Sequence, residues 1–312
     1  VAVTEGNLNN HIGVPKTLLN IKSDNNFAII EMGTNHFGEI ETLCKIASPD
    51  FGLITNIGKA HLEFFGNIDG VAKAKGELFE FLAINKGKIF VNTDIDTISG
   101  IAKRYLNEKN IISYCQQDYG IKIFPADNEN PYLKFIFNKT EVCTKLIGKY
   151  NIDNALAAIA TGKYFDISDA DIADAIASYN PQNNRSQKIE TQQNILYMDA
   201  YNANPASMQA SLQNFINQAA ANKMLILGDM RELGESSETE HRNIIQMIIE
   251  SKINDVMLVG DCFAKAAQNT KYICFKNVDE CIKYINENKI ENRTILIKGS
   301  HGIHLEKTEK YL

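Results

Sequence analysis

Residues 195–218 read ILYMDAYNANPASMQASLQNFINQ, and the fold class turns on how that stretch divides. Ile195–Asp199 is a short apolar run that closes on an acid, as a buried strand does. A polar loop with Asn202 and Asn204 follows. Pro205 then opens an amphipathic run to Gln218, and proline suits a first helical position. Downstream the rhythm repeats. Strands are expected at Lys223–Leu227, Asp255–Val259, Tyr272–Phe275 and Thr294–Lys298, with helices near Glu238–Ser251, Val278–Asn286 and Gly302–Tyr311. Upstream, strands are expected at Phe27–Glu31, Gly52–Asn56 and Lys88–Asn92. Helices are expected near Glu39–Ala47, Asp69–Ala83, Ile95–Leu106, Ile152–Tyr164 and Asp169–Tyr179. Such alternation predicts an α/β protein with mostly parallel sheets. From Ile111 to Leu146 short β-prone runs have no helix between them, which predicts an antiparallel β insertion. The polar turn Asn180–Ser186 marks a boundary between residues 1–182 and 183–312.

The 312 residues carry 32 Lys+Arg and 38 Asp+Glu, a net charge of −6, with a pI near 5.6. This balance argues against a nucleic-acid binder, which needs a basic face. With 44% hydrophobic residues a sizeable core can form, and no apolar run reaches the roughly 20 residues of a membrane span. The six cysteines include no CxxC pair and have mostly apolar neighbours, so reduced, buried thiols and a cytoplasmic setting are expected. A monomer is expected.

In open α/β sheets, ligands bind beyond the carboxyl ends of the strands. Glu31, Asp199, Asp229 and Lys298-Gly-Ser300 fall at such ends, and His61 follows another. Glu31 with His61 could share a cation, whereas Asp229 and Asp261 could equally cap helices. Lys75 shares the helical stripe of Val71, Ala74, Leu78, Phe79 and Leu82. It either snorkels or is a desolvated amine of lowered pKa, able to take up carbon dioxide as a carbamate and so offer magnesium an anionic oxygen. Asn151 could cap the helix it starts. His241, His301 and His304 read as surface or helix-terminal residues. No G-x-x-x-x-G-K-[ST] phosphate loop occurs.

Seven stretches carry a resemblance: TEGNLNNHIGVPKTLL (4–19), EMGTNHFGEI (31–40), NIGKAHLEFFGNIDGVAKAKGELF (56–79), GKYNIDNALAA (148–158), DAYNANPASM (199–208), GDMRELGESSETEH (228–241) and KGSHGIHLEK (298–307). Together they resemble the Mur ligases of peptidoglycan synthesis. DAYNANP points to the branch that joins D-alanyl-D-alanine to UDP-N-acetylmuramoyl-tripeptide. The resemblance implies a P-loop-type central domain, here truncated at its N-terminus, followed by a Rossmann-like C-terminal domain. It implies ATP and magnesium as cofactors and an acyl-phosphate intermediate.

By position, Glu31 and His61 match magnesium ligands and Lys75 the carbamylated lysine. Asn151 and Asn154 match the nucleotide-side asparagines, Arg185 the interdomain arginine that reaches the ATP phosphates, and Asp199 and Asn202 the groups that close over ATP. Thr4, Asn7 and Asn10 match the loop facing the muramoyl-peptide. Asp229, Lys298 and Ser300 fall where the incoming dipeptide is held. Tyr150 stands where a histidine is frequent, and His301 where an arginine is common. The phosphate loop and the UDP-binding domain are missing, so the 312-residue chain is expected to be inactive alone. A folylpolyglutamate-type ligase and a non-catalytic binding module are the alternative readings.

Overall fold

Two clusters of contacts divide the chain into compact units, Val1–Tyr119 with Leu156–Asp166, and Gly120–Ala155 with Ile167–Leu312. The structure, a computed structural model, describes every residue except 60, 106–107, 126–130 and 183. The expected helix end at Leu106 and Asn183 of the boundary turn lie outside the described residues.

In the first unit β1 (Ala2–Val3), α1 (Gly13–Leu19), β2 (Ala28–Ile29), α2 (Glu39–Ala47), β3 (Phe51–Leu53), α3 (Leu62–Phe65), α4 (Ile68–Ile84), β4 (Lys88–Asn92), α5 (Asp96–Tyr105) and β5 (Ile111–Tyr114) follow in order. β1 pairs parallel with β2, and β3-β4-β5 form a separate parallel sheet. Phe79, Leu82, Ile89, Val91, Ile98 and Ile101 are its buried core. Ile111–Tyr114 thus corrects the expected antiparallel insertion. It extends the parallel sheet, because the crossover helix α5 returns the chain in the same direction. The strand expected at Phe27–Glu31 shrinks to Ala28–Ile29, so Glu31 lies two residues beyond it. The strand expected at Gly52–Asn56 ends at Leu53.

The second unit opens with β6 (Lys122–Ile123), β7 (Tyr132–Phe137) and β8 (Thr140–Ile147), an antiparallel sheet that matches the rest of the expected insertion. α6 (Ile152–Tyr164) follows, its residues from Leu156 onward belonging to the first unit, and α7 (Asp169–Ser178) comes next. Then follow β9 (Gln187–Glu190), β10 (Ile195–Asp199), α8 (Pro205–Asn217), β11 (Lys223–Gly228), α9 (Ser237–Ser251), β12 (Asp255–Val259), α10 (Asp261–Ala266), β13 (Ile273–Phe275), α11 (Val278–Asn288) and β14 (Thr294–Lys298). The sheet order is β13-β12-β11-β14-β10-β9. All its pairs are parallel except β10 with β9. Leu196, Met198, Met224, Ile226, Met257, Ile295 and Ile297 pack on one face, while Leu225, Leu227, Leu258 and Leu296 are buried as well. Burial on both faces explains why these strands read as unbroken apolar runs.

The helix expected at Gly302–Tyr311 is instead two 3₁₀ runs, His301–Ile303 and Leu305–Tyr311. His304, at φ 62° between them, breaks the α-helical path. All six cysteines are free thiols, but only Cys44 and Cys281 are buried, and Cys143 and Cys274 are exposed. Side chains alternate across a strand, so an apolar neighbourhood in sequence does not bury every position in it.

One glycine fixes a turn that matters below. Gly260 has φ +117°, and a Cβ there would lie 2.3 Å from the Asp229 carboxylate. Gly260→Ala is expected to lower stability by about 2 kcal/mol or more, from backbone strain and displacement of that carboxylate. The urea midpoint measures it, and a loss below about 0.5 kcal/mol would contradict the assignment.

Candidate functional site

The first unit presents its polar groups on the loops that leave β2 and β3. Glu31 is exposed, but two contacts orient it. Asn9 Nδ2 donates to Glu31 Oε1 at 2.9 Å, and the Glu31 amide donates to Thr4 Oγ1 at 2.9 Å. Thr4 therefore reaches the acid from its backbone side. Asn10 Oδ1 accepts from the Ile12 and Gly13 amides and so anchors the start of α1. Asn7 is exposed. Asn9 escaped sequence reading, because a partner 22 positions away leaves no local signal.

The loop after β3 carries His61, half-buried and with φ 53° at the start of α3. Lys75 projects from α4 to the same loop, where Nζ donates to the Asn56 carbonyl at 2.8 Å. Burial pushes the Lys75 pKa below its usual value, since a low-dielectric setting disfavours the charged amine. The side chain is half-buried, and this direction is the one that the desolvated reading expects. Its neighbour Glu77 caps α2, accepting from the Gly38 amide at 2.7 Å and the Glu41 amide at 3.1 Å.

In the second unit the strand register builds the cluster. β10 pairs with β14 so that Asp199 stands opposite Lys298. Lys298 Nζ, on a side chain only 2% exposed, meets Asp199 Oδ2 at 2.6 Å and donates to the Asn202 carbonyl at 3.3 Å. Asp199 Oδ1 accepts from the Ser186 amide at 3.2 Å. Asn202 Oδ1 accepts from the Ala203 amide. Ser300 ties three loops together. Its hydroxyl donates to the Ala203 carbonyl at 3.2 Å and accepts from the Arg231 amide at 2.8 Å, and its own amide donates to the Asp229 carbonyl at 3.1 Å.

Asp229 proves to be a cap. Its carboxylate accepts from the Cys262 amide at 3.0 Å and the Phe263 amide at 2.8 Å, at the start of α10. Asn151 is not the cap of α6. It is buried, donates to the Ile147 carbonyl at 2.8 Å and accepts from Asn154 Nδ2 at 3.1 Å. The Arg185 guanidinium lies 3.8 Å above the centre of the Tyr201 ring, a cation–π contact. Tyr150 donates to or accepts from Ser186 Oγ at 2.9 Å, and burial raises its pKa.

His241 corrects the expectation of a surface residue, for it is fully buried. Asp229, His241 and Cys262 bring ligand-type atoms within 4.8 Å of one another. Hydrogen bonds already engage all three, Cys262 Sγ accepting from Ser237 Oγ at 3.5 Å. The Met230 amide donates to His241 Nε2 at 3.0 Å, and Asp229 caps α10. The cluster is built as a scaffold.

Fold and geometry define a protein of two α/β units whose polar side chains gather at the carboxyl ends of parallel strands. Residues 1–162 match the Mur ligase middle domain and residues 184–301 the glutamate ligase domain of Mur ligases. The chain belongs to the Mur ligase family. It is 31% identical over 318 residues to the UDP-N-acetylmuramoyl-tripeptide–D-alanyl-D-alanine ligase of Bacillus subtilis, covering 99% of this chain and 69% of that protein. The ligase of the same name from Escherichia coli is 32% identical, with 99% and 70% covered. The crystal structure of MurF from Acinetobacter baumannii superimposes with a TM-score of 0.84 at 30% identity, over 99% of this chain and 69% of that one. MurF from Thermotoga maritima, solved in complex with ADP, has the same fold at 21% identity and a TM-score of 0.82. Among the described residues no helix is long and apolar enough to cross a membrane.

Proposed function

We propose that the chain supplies the central and C-terminal parts, residues 1–182 and 183–312, of an ATP- and magnesium-dependent ligase that joins D-alanyl-D-alanine to UDP-N-acetylmuramoyl-tripeptide. The observation that carries the reading is Lys75, a lysine desolvated on the core stripe of α4 and held at the loop that bears His61. A lysine there gains one hydrogen bond, to the Asn56 carbonyl, at the cost of desolvating its charge. An amine meant to become a carbamate needs that placement, because only the neutral form attacks carbon dioxide.

The donor set fits magnesium. Glu31 offers a carboxylate oxygen, a carbamylated Lys75 a second anionic oxygen, and His61 an imidazole nitrogen. When bound, ATP and magnesium supply the phosphoryl group and the charge neutralisation that activate the tripeptide carboxylate. The chain's own residues act by positioning. Asn9 and Thr4 aim Glu31. Asn151 and Asn154 face the nucleotide side, with Arg185, Asp199 and Asn202 directed to ATP. Thr4, Asn7 and Asn10 face the muramoyl-peptide. Lys298, Ser300 and Asp229 belong to the acceptor side, where, being buried, they hold the loops that the dipeptide would meet.

The test is an assay of the complete gene product with ATP, magnesium, UDP-N-acetylmuramoyl-tripeptide and a panel of acceptors. Phosphate release and a mass gain of one dipeptide are expected with D-alanyl-D-alanine. Turnover with L-glutamate on a folate acceptor, or none with the dipeptide, would overturn the reading.

A further inference from the structure

We infer that His241 is a positioning residue for the acceptor dipeptide, acting through the turn 229–231; the inference rests on the function proposed above. The turn is held by successive amides. The Asp229 amide donates to the Val259 carbonyl at 3.0 Å, the Met230 amide to His241 Nε2 at 3.0 Å, and the Arg231 amide to Ser300 Oγ at 2.8 Å. Of the three acceptors, only Nε2 is a side-chain atom from outside the strand-end loops.

The imidazole is built for that one task. Its Nδ1 lies 2.7 Å from the Ser237 carbonyl. A carbonyl can only accept, so Nδ1 carries the proton and Nε2 presents its lone pair to Met230. Burial lowers the pKa and keeps the ring neutral, while the Ser237 carbonyl, Asp229 and Glu240 oppose that shift. The Phe263 ring packs edge-on at 4.7 Å, and Asp229 Oδ1 stands 3.7 Å from Nε2. Helix α9 thereby fixes the height of the turn, and Ser300 passes that position to the loops after β10 and β14. The backbones of those loops leave no slack, since a Cβ on Gly299 would lie 3.0 Å from Gly228 Cα. The fully buried ring needs no opening to solvent for this role, because it acts wholly from within.

The experiment compares His241→Gln, His241→Asn and His241→Leu in the complete gene product. Glutamine can accept from Met230 and donate to Ser237, asparagine is too short to do both, and leucine does neither. The KM for D-alanyl-D-alanine is expected to rise about tenfold in the Asn and Leu variants, the size of one lost hydrogen bond. The KM for ATP stays within about twofold, and Gln stays within about threefold of wild type in both. Equal changes in both KM values, or a Gln variant as impaired as Asn, would overturn the inference. Should Leu fail to fold, the Gln and Asn pair decides alone. Amide exchange gives a readout that needs no turnover. Residues 229–231 and 300 are expected to exchange faster in Asn than in Gln, and equal rates would overturn the positioning role. If wild type itself fails to ligate the dipeptide, the proposed function falls, and the exchange rates still judge His241.

Discussion

Lys75→Arg is expected to lose ligation by at least about 10²-fold while the protein stays folded, as removal of an anionic group beside the reacting phosphates should do. In a carbamylated lysine the ammonium first sheds one proton, the neutral nitrogen then bonds to the carbon of carbon dioxide, and a second proton leaves to solvent, so a cation becomes an anion. A guanidinium keeps its charge at any accessible pH and cannot follow. Lys75→Met should be equally inactive yet at least as stable as wild type, because it keeps an unbranched chain on the α4 stripe and removes a buried amine. The burial that lowers the Lys75 pKa also sets the pH sense. The neutral amine is available at and above the lowered pKa and is lost as pH falls through it, so activity should fail on the acid side and recover with added bicarbonate. Activity of Lys75→Arg above one-tenth of wild type would rule out a carbamate at this position.

Asp199→Ala is expected to cost about 3–5 kcal/mol, because it strands the Lys298 ammonium in a site that excludes water. Lys298 is 2% exposed and its partner 15% exposed, so solvent cannot replace the lost carboxylate. Among the described residues the Asn202 carbonyl at 3.3 Å is the remaining acceptor. Lys298→Met should cost less, since Asp199 keeps the Ser186 amide and is closer to water. The double variant should recover part of the loss, because no unpaired cation remains. Urea midpoints of the three variants measure this. If Asp199→Ala costs under about 1 kcal/mol, the pair is not the electrostatic centre of the sheet. Ligation should fall in all three variants, as the register that faces β10 with β14 also sets the loops beyond them.

How much of this was legible depended on how locally each feature is encoded. Ile195–Asp199 and Thr294–Lys298 are central strands with their middles buried on both faces, so an unbroken apolar run announces each of them. Gln187–Glu190 reads QKIE and hid as an edge strand, because its order comes from pairing with β10 rather than from its own pattern. Ile111–Tyr114 reads as antiparallel from its short spacings yet pairs parallel with β4, since strand direction is decided by the preceding crossover. Lys75 was visible through helical spacing alone. The same spacing could have found His241, which leads the stripe of Ile244, Ile245 and Ile248, and only its polarity made it look external. The Asn9–Glu31 bond and the Asp229 cap on α10 join segments far apart in the chain, and no periodicity reports such pairs.

The ladder between β1 and β2 is two residues long, and Val3 and Ile29 on it are 53% and 62% exposed. Glu31 is held by Thr4 and Asn9 on an exposed loop, whereas Lys298 is sunk in a six-stranded sheet. In the proposed ligase, a side chain set so deeply in a sheet has little freedom left to lose, so an acceptor held by the loops beyond Lys298 would meet a surface whose ordering entropy folding has already met.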